Sequence, residues 1–471
     1  MRAGTSTIAV RRPRPVCRTG CWTAIALGAL AVILAVGQPL GFAAEAAPRP
    51  NIIFILADDL GIGGVGCYGA AYSTPNLDKL AQTGIRFENC FAAPLCAPSR
   101  AMFMTGRYGF RTGVIDNNTG ANAHPDKELS IAWLLKQAGY ATAVAGKWRQ
   151  LAHFKTKEDA QRWGFDESVV WGLESGMPNR YWDPVFYRDG QAMEGLSGRY
   201  GPDVLHDFVV DFIGRCRDKP FFIYYPMVLI HSPILPTPDT PKPPGNKRDL
   251  LSDNIAYMDK LVGKLVDELE RLKLREKTLL VLTGDNGNVG GGVINGRAID
   301  GGKGSMKEGG SRVPLIVNWP GTVPAGRVLK DLVDLTDFYP TFAELAGVEL
   351  PHGVTIDGRS FAPQLRGQAG NPRQWVYVQL GQKCYVRDQR LKLTDDGLLL
   401  DMSDAPFGEK PAADTPENAA ARPKLQSVLN DLRRQWQPID APKPKPKEKR
   451  KPGAGKNKPS TQPPETAQQV G

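Results

Sequence analysis

The sequence predicts an α/β fold: a large, mostly parallel central sheet with helices on both faces, followed by a small C-terminal antiparallel sheet with a helix. Three observations predict it. Short, continuous apolar runs such as Asn51 to Ala57 (NIIFILA) recur along the chain and end in polar or glycine-rich stretches. Amphipathic helical patterns lie between those runs, and after about Gly353 the runs become shorter and closer together. An unbroken apolar run suits a strand covered on both faces, whereas a half-exposed strand alternates.

The first run ends in Asp58-Asp59. A helix is expected over Pro75 to Thr83, with Thr74 as N-cap, Pro75 at the first helical position and Gly84 past the end. Another is expected over Ser130 to Ala138, closed by Gly139. Further strands are Ala141 to Ala145, ending in Gly146-Lys147, and Phe221 to Ile230, ending in His231. The long pattern Ser252 to Leu272 places Met258, Leu261, Val262, Leu265, Leu269 and Leu272 on one helical stripe. Thr278 to Thr283 ends in Gly284-Asp285-Asn286, and Pro314 to Trp319 ends in Pro320. Strands alternating with helices build a parallel sheet, and such sheets bind ligands at the carboxyl ends of their strands. That is where the Asp, Lys, His and Asp-Asn clusters fall. Trp375 to Leu380, Cys384 to Val386, Arg390 to Leu393 and Gly397 to Met402 suit the small antiparallel sheet, with a last helix near Lys424 to Trp436. The chain therefore divides into a leader over 1–47, an α/β domain over 48–352, a C-terminal subdomain over 353–440 and a tail over 441–471.

With 471 residues, 41% hydrophobic and 23% charged, the chain is too long for a mini-protein and too ordinary for a fibrous or disordered one. Its net charge of +10 would prompt a search for nucleic acid. The charge is confined to the ends. Residues 1–47 hold five Arg against Glu45, and 441–471 hold eight Lys or Arg against two Glu, which leaves 46 basic and 46 acidic residues in 48–440. No nucleic-acid partner is implied.

Arg2, Arg11, Arg12, Arg14 and Arg18 precede the apolar stretch Thr23 to Val36, and small residues follow at Ala43, Ala44, Ala46 and Ala47. This reads as a secretory signal peptide cleaved between Ala43 and Ala47, with an uncleaved anchor as the alternative. Export to the periplasm or outside the cell follows, with no stable membrane span after cleavage. The Lys- and Pro-rich tail cannot bury enough apolar surface to fold and is expected to be extended; a hold on anionic polysaccharide is one use for it. Five cysteines, Cys67, Cys90, Cys96, Cys216 and Cys384, survive signal removal. The odd number flags one with a task other than pairing.

That one is Cys96. Cys96-Ala97-Pro98-Ser99-Arg100, continuing AMFMTGR to Arg107, resembles the sulfatase signature C-x-P-S-R followed by T-G-R. The resemblance extends through LADD at 56–59, TPNLD at 74–78, TGDNG at 283–287, GKGSMKEGGSRVP at 302–314 and DFYPTFAELAGV at 337–348. It implies the alkaline phosphatase-like fold, hydrolysis of sulfate esters, and conversion of Cys96 to formylglycine by a formylglycine-generating enzyme.

The chemistry suits those residues. An aldehyde hydrate offers one hydroxyl to attack sulfur and a second whose deprotonation expels sulfate and restores the aldehyde. A Pro-Ser-Arg turn opening a helix near Ser99 would aim free N–H groups at the anion, and Arg100 would hold the hydrate. Asp58, Asp59, Asp285 and Asn286 offer only oxygen, which selects Ca2+ or Mg2+ over zinc. Asp58-Asp59 alone would read as a loop or helix cap, and the pairing with Thr-Gly-Asp-Asn-Gly reverses that. The resemblance implies one such ion, usually calcium, held by those four and by the converted Cys96. It also assigns Lys147, His231 and Lys303 to the sulfate, as cations and as the donor to the leaving oxygen.

One position departs from the family pattern. After Lys147-Trp148 the family has His-Leu-Gly, whose histidine deprotonates the hydrate, whereas this chain has Arg149-Gln150-Leu151. Arginine is no base at ordinary pH. Gln150 with a water, or His153, could assist release, and Arg149 could bind sulfate or a second acidic group. Trp171, Tyr181, Trp182, Phe186, Tyr187 and Tyr200 could line a pocket for sugar rings or simply pack, and Gly287 to Gly302 could be a mobile rim. A sulfated carbohydrate is the expected substrate. The alternatives are a catalytically impaired sulfatase fold that binds sulfated glycans, and a phosphatase or phosphodiesterase of the same superfamily. The second suffers from the scarcity of histidine, five in the chain with no spacing suited to a second metal.

Overall fold

The computed structural model describes residues 49–148, 156–173 and 177–436. The leader, Arg149, Gln150, His153 and the tail lie outside the described residues. Those described fall in one compact unit.

The central sheet has ten strands. Eight come first: β1 (Asn51–Ala57), β2 (Ile85–Phe91), β3 (Ala141–Lys147), β4 (Glu167–Trp171), β5 (Phe186–Arg188), β6 (Gln191–Ala192), β7 (Phe221–Tyr225) and β8 (Thr278–Gly284). A two-stranded ribbon follows, β9 (Val293–Ile294) and β10 (Arg297–Ala298), before the sheet resumes with β11 (Arg312–Asn318) and β12 (Arg327–Asp334). The spatial order is β12-β2-β11-β8-β1-β7-β3-β4-β5-β6. β1 lies parallel to both β7 and β8. A separate antiparallel sheet takes β13 (Val376–Leu380), β14 (Lys383–Arg387), β15 (Leu391–Thr394), β16 (Leu399–Asp401) and β17 (Lys410–Pro411), with the helix Pro416–Arg434 behind it.

The unbroken run in β1 has the expected cause. Ile52, Phe54 and Leu56 enter one core, and Ile53, Ile55 and Ala57 enter the core on the opposite face. Phe54 stacks on Phe103 at a centroid distance of 3.8 Å, which fixes the helix Cys96–Thr105 against the sheet. Burying such a ring contributes about 1.5–3 kcal/mol.

Several expectations need correction. The run Pro314 to Trp319 lies in β11, which is antiparallel to β8 and β2. Between β8 and β11 lie only the short ribbon and the four-residue helix Glu308–Ser311, so the connection has no helix of the kind that carries a parallel crossover across a sheet face. The run Phe221 to Ile230 is a strand only to Tyr225, where Pro226 ends it and a loop continues to His231. Thr74 is the N-cap residue, as expected, and its carbonyl takes the Asp78 N–H, but its side chain caps no helix N–H; the hydroxyl accepts the Gly66 N–H at 2.8 Å and donates to Asp78 Oδ1 at 3.0 Å. The long helix starts earlier, at Lys247, under a capping box from Asn246 and Asp249, and the last one starts at Pro416 under Thr415. Among the described residues no helix is long and apolar enough to cross a membrane.

Candidate active site

Parallel register brings the predicted strand ends together. Ala57 of β1 pairs with Gly284 of β8, so Asp58 and Asp285 leave the sheet side by side, and the Asp285 N–H donates to Ala57 O at 3.1 Å. The Asp59 N–H donates to Asp285 Oδ1 at 3.0 Å, with Asp59 in a left-handed conformation at φ 63°. Gly284 is required at this crossing, because a Cβ there would lie 1.8 Å from Leu60 O.

Cys96 is the first residue of its helix and is fully buried, its Sγ 3.7 Å from Asp58 Oδ1 and 3.8 Å from Asp59 Oδ1. The expectation of free helix N–H groups at this end is not met. The Ala97 N–H goes to Asn117 Oδ1 at 3.0 Å, Pro98 has none, and the Ser99 N–H reaches Leu95 O at 3.4 Å. The Ser99 hydroxyl also turns back, to Ala93 O and Leu95 O.

Cations supply what the helix end does not. Lys147 Nζ lies 2.7 Å from both carboxylate oxygens of Asp58, and Lys303 Nζ lies 2.5 Å from Asp59 Oδ1. Arg100 donates from Nε and a terminal nitrogen to Asp285 Oδ2, at 3.1 and 2.8 Å, and to Lys147 O at 3.2 Å. His231 Nε2 faces Asp59 Oδ2 at 3.9 Å. Cys96, Arg100, Lys147, His231 and Lys303 therefore converge, whereas Arg149 lies outside the described residues.

Burial would raise the Asp58 carboxyl, but Lys147, His231 and Arg100 outweigh it and hold the group below its ordinary range. Burial, aided by the Asp285 charge, pushes the Cys96 thiol up to about 12, so the unmodified sulfur is a poor nucleophile in the folded protein. Burial lowers His231, and Lys147 adds to this against the pull of Asp58. Lys303 moves the other way: burial disfavours its charge, yet Cys96, Asp59 and Asp58 raise it.

Ligand atoms of Asp58, Asp59, Cys96 and His231 all lie within 4.8 Å of one another, a grouping able to hold a metal ion. His231 thus joins a cluster for which sequence proposed only Asp58, Asp59, Cys96, Asp285 and Asn286. Asp285 stands differently, with both oxygens engaged by the Asp59 N–H and Arg100. Asn286 donates to Asp59 Oδ1 at 2.9 Å while its own buried Oδ1 has no partner. An orphaned amide oxygen beside two carboxylates, one chelating an ammonium, is the donor set of a hard cation.

Two profiles match this chain: that of the sulfatase family over residues 50–348, and that of the N-sulphoglucosamine sulphohydrolase C-terminal region over 302–435. The chain belongs to the sulfatase family. It is a sulfuric ester hydrolase, and its relatives include dog N-acetylgalactosamine-6-sulfatase, 34% identical over 71% of this chain and 70% of that one. Human arylsulfatase A is 33% identical over 74% and 72%. Among solved structures, Ps i-CgsB in complex with k-i-k-neocarrahexaose is similar at a TM-score of 0.73 and 27% identity, covering 83% of this chain and 94% of that one.

In this sulfatase the cluster also includes neighbours that the sequence did not point to. Asn288 donates to Asp59 O at 3.3 Å and keeps a buried, unpartnered Oδ1. Arg180, buried behind His231, touches its ring and its carbonyl. The aromatic segment is mainly packing: Trp171, Tyr181, Phe186 and Tyr200 are buried, and Tyr181 OH donates to His231 O at 2.6 Å. The expected mobile rim is tied down, with Gly287 N–H on Gly310 O and Lys303 N–H on Asn288 O. The five described cysteines are all unpaired, which settles the disulfide question for them.

Proposed function

We propose that this sulfatase hydrolyses a sulfated carbohydrate after Cys96 has been converted to formylglycine, with one Ca2+, or Mg2+ in its place, held by Asp58, Asp59, Asp285, Asn286 and residue 96. The observation that supports the reading is the convergence of two lysines, an arginine and a histidine around Cys96 Sγ and three carboxylates, at the carboxyl ends of the central strands β1 and β8. The converted residue would supply a nucleophilic hydroxyl and a route for sulfate release, and the cation would supply positive charge next to it.

The chain's own residues do the rest. Lys147 pairs with Asp58 and Lys303 with Asp59, and both ammonium groups would take sulfate oxygens as charge builds on them. Arg100 neutralises Asp285 and keeps that carboxylate from repelling the anion. His231 presents Nε2 from the far side of Asp59, in reach of an oxygen that leaves sulfur. Burial of the cluster excludes bulk water and strengthens each of these interactions. Arg149 is assigned to the substrate's sulfate or to a second acidic group.

A carbohydrate substrate is supported by the names of two relatives, a galactosamine sulfatase and an enzyme solved with a neocarrahexaose. Export is supported by the leader. Mass spectrometry of the Cys96 peptide, from protein made together with a formylglycine-generating enzyme, tests the reading, and unmodified cysteine would reject it. Chelation should abolish turnover and Ca2+ should restore it. A glycan-binding protein without turnover is the second reading, motivated by Arg149. It gains if modified protein releases sulfate from no member of a panel of sulfated sugars and aryl sulfates.

A further inference from the structure

Lys303 reaches Asp59 from a loop with little stiffness of its own. Gly301 and Gly304 both take positive φ, 83° and 79°, and the segment runs as turns and bends up to the helix Glu308–Ser311. On the active-site side two backbone bonds hold it, Lys303 N–H to Asn288 O at 3.0 Å and Gly304 N–H to Pro94 O at 2.8 Å. On its other side it is held by the C-terminal antiparallel sheet.

There Arg387 of β14 and Lys392 of β15 are direct partners in the ladder, and both are buried. Two like charges so placed destabilise a sheet, and burial adds to the cost. The C-terminal segment brings one counter-charge: Lys392 Nζ lies 2.9 and 2.8 Å from the two oxygens of Glu409. The Lys303 loop brings the other. Arg387 donates to Glu308 Oε1 at 2.5 Å, and Arg312 lies 3.5 Å from Oε2. The loop backbone is held as well. Lys392 Nζ donates to Met306 O at 2.7 Å, which with the Glu409 oxygens uses all the hydrogens of the ammonium. The Glu308 N–H donates to Glu409 Oε1 at 3.0 Å.

We propose that Lys392 and Arg387 are positioning residues for Lys303: through Met306 and Glu308 they fix the loop backbone from which its ammonium reaches the sulfate. The catalytic part of this rests on the proposed role of Lys303. If the buried pairs served stability alone, packed apolar side chains would do as well, since such replacements are often neutral or stabilising. Apolar packing would not supply directed bonds to Met306 O and the Glu308 N–H. A displacement of ~1 Å in a pre-organised site is enough to slow turnover by up to ~10²-fold.

The test is a double-mutant cycle on the full chain, made together with a formylglycine-generating enzyme and supplied with Ca2+, reading kcat on a sulfated sugar per folded molecule. Lys392→Met should lower kcat about 10-fold in the wild-type background and less than ~2-fold once Lys303 is alanine. Equal losses in the two backgrounds would overturn the proposal, because a residue that only holds the fold together damages both alike. Hydrogen exchange read by mass spectrometry needs no turnover. Lys392→Met should speed exchange over 301–307 and leave Val376–Leu380 at the wild-type rate; unchanged exchange over 301–307 refutes the anchor. Arg387→Lys is the second variant if the methionine protein loses the sheet, and should show the same coupling to Lys303. If no sulfate ester is hydrolysed, or Lys303→Ala leaves turnover at the wild-type value, the reading of the site fails, while faster loop exchange still upholds the anchor.

Discussion

Two of the buried charge clusters among the described residues differ in kind, and the first is the candidate site. The first gathers Asp58, Asp59 and Asp285 against Arg100, Lys147 and Lys303. The second lies where the central sheet meets the C-terminal segment. There Arg373 binds Asp337, and Tyr108 bridges Asp334 and Arg373 at 2.8 and 3.0 Å. Thr336, Arg359 and Asp334 give backbone N–H groups to the same two carboxylates. Burial and charge are alike in both. What differs is saturation: no side-chain atom of Asp334, Asp337, Arg373 or Tyr108 is orphaned, whereas Asn286 and Asn288 keep unpartnered oxygens beside Asp59. A fully paired cluster fastens the chain to itself, and an incompletely paired one has capacity left for a ligand.

The contrast can be broken experimentally, starting with the largest effect. Cys96→Ala should reduce sulfate release by at least about 10⁴-fold, as loss of a nucleophile does, with circular dichroism unchanged. Arg373→Leu should lower unfolding free energy by about 3–5 kcal/mol in denaturant titration, because it strands two buried carboxylates, while turnover per folded molecule stays at the wild-type value. Equal damage to turnover would erase the distinction between the clusters. Lys303→Ala should cost about 10²–10³-fold in kcat with a melting temperature near wild type.

The smallest effect is a pH slope. Burial, opposed by Arg373 and assisted by the nearby Asp334, pushes Asp337 up to about 6. The folded state then holds a proton that the unfolded chain, titrating near ~3.9, has already lost. Stability from this group is present below about pH 4 and falls as pH rises toward about 6. Asp337→Asn should flatten the slope in that window. Asp58 is shifted the opposite way, below its ordinary value, so its contribution is lost as pH falls and opposes this slope at its acid end.

The strand ends were legible because chemistry and topology coincide there: Asp58, Lys147 and Asp285 each follow a run apolar enough to be recognised, and parallel register then sets them side by side. β2 and β12 were missed because IRFENCF and RVLKDLVD mix charge into partly exposed strands and break the apolar run. The direction of β11 was hidden for another reason, since nothing local distinguishes an antiparallel return from a parallel one except the absence of a helix before it. Arg180 left a weak signal, a lone arginine beside Tyr181 and Trp182 in an aromatic segment. Its partner His231 lies 51 residues away, and only folding joins them.

The burial of Cys96 sets a clock. Its side chain has no exposed surface, its helix is pinned by Phe103 stacked on Phe54, and its thiol is held protonated. Under the proposed conversion of Cys96, a maturation enzyme would have to grasp this residue before that helix docks. The yield of active enzyme would then depend on a race between modification and folding, and slower folding would favour it.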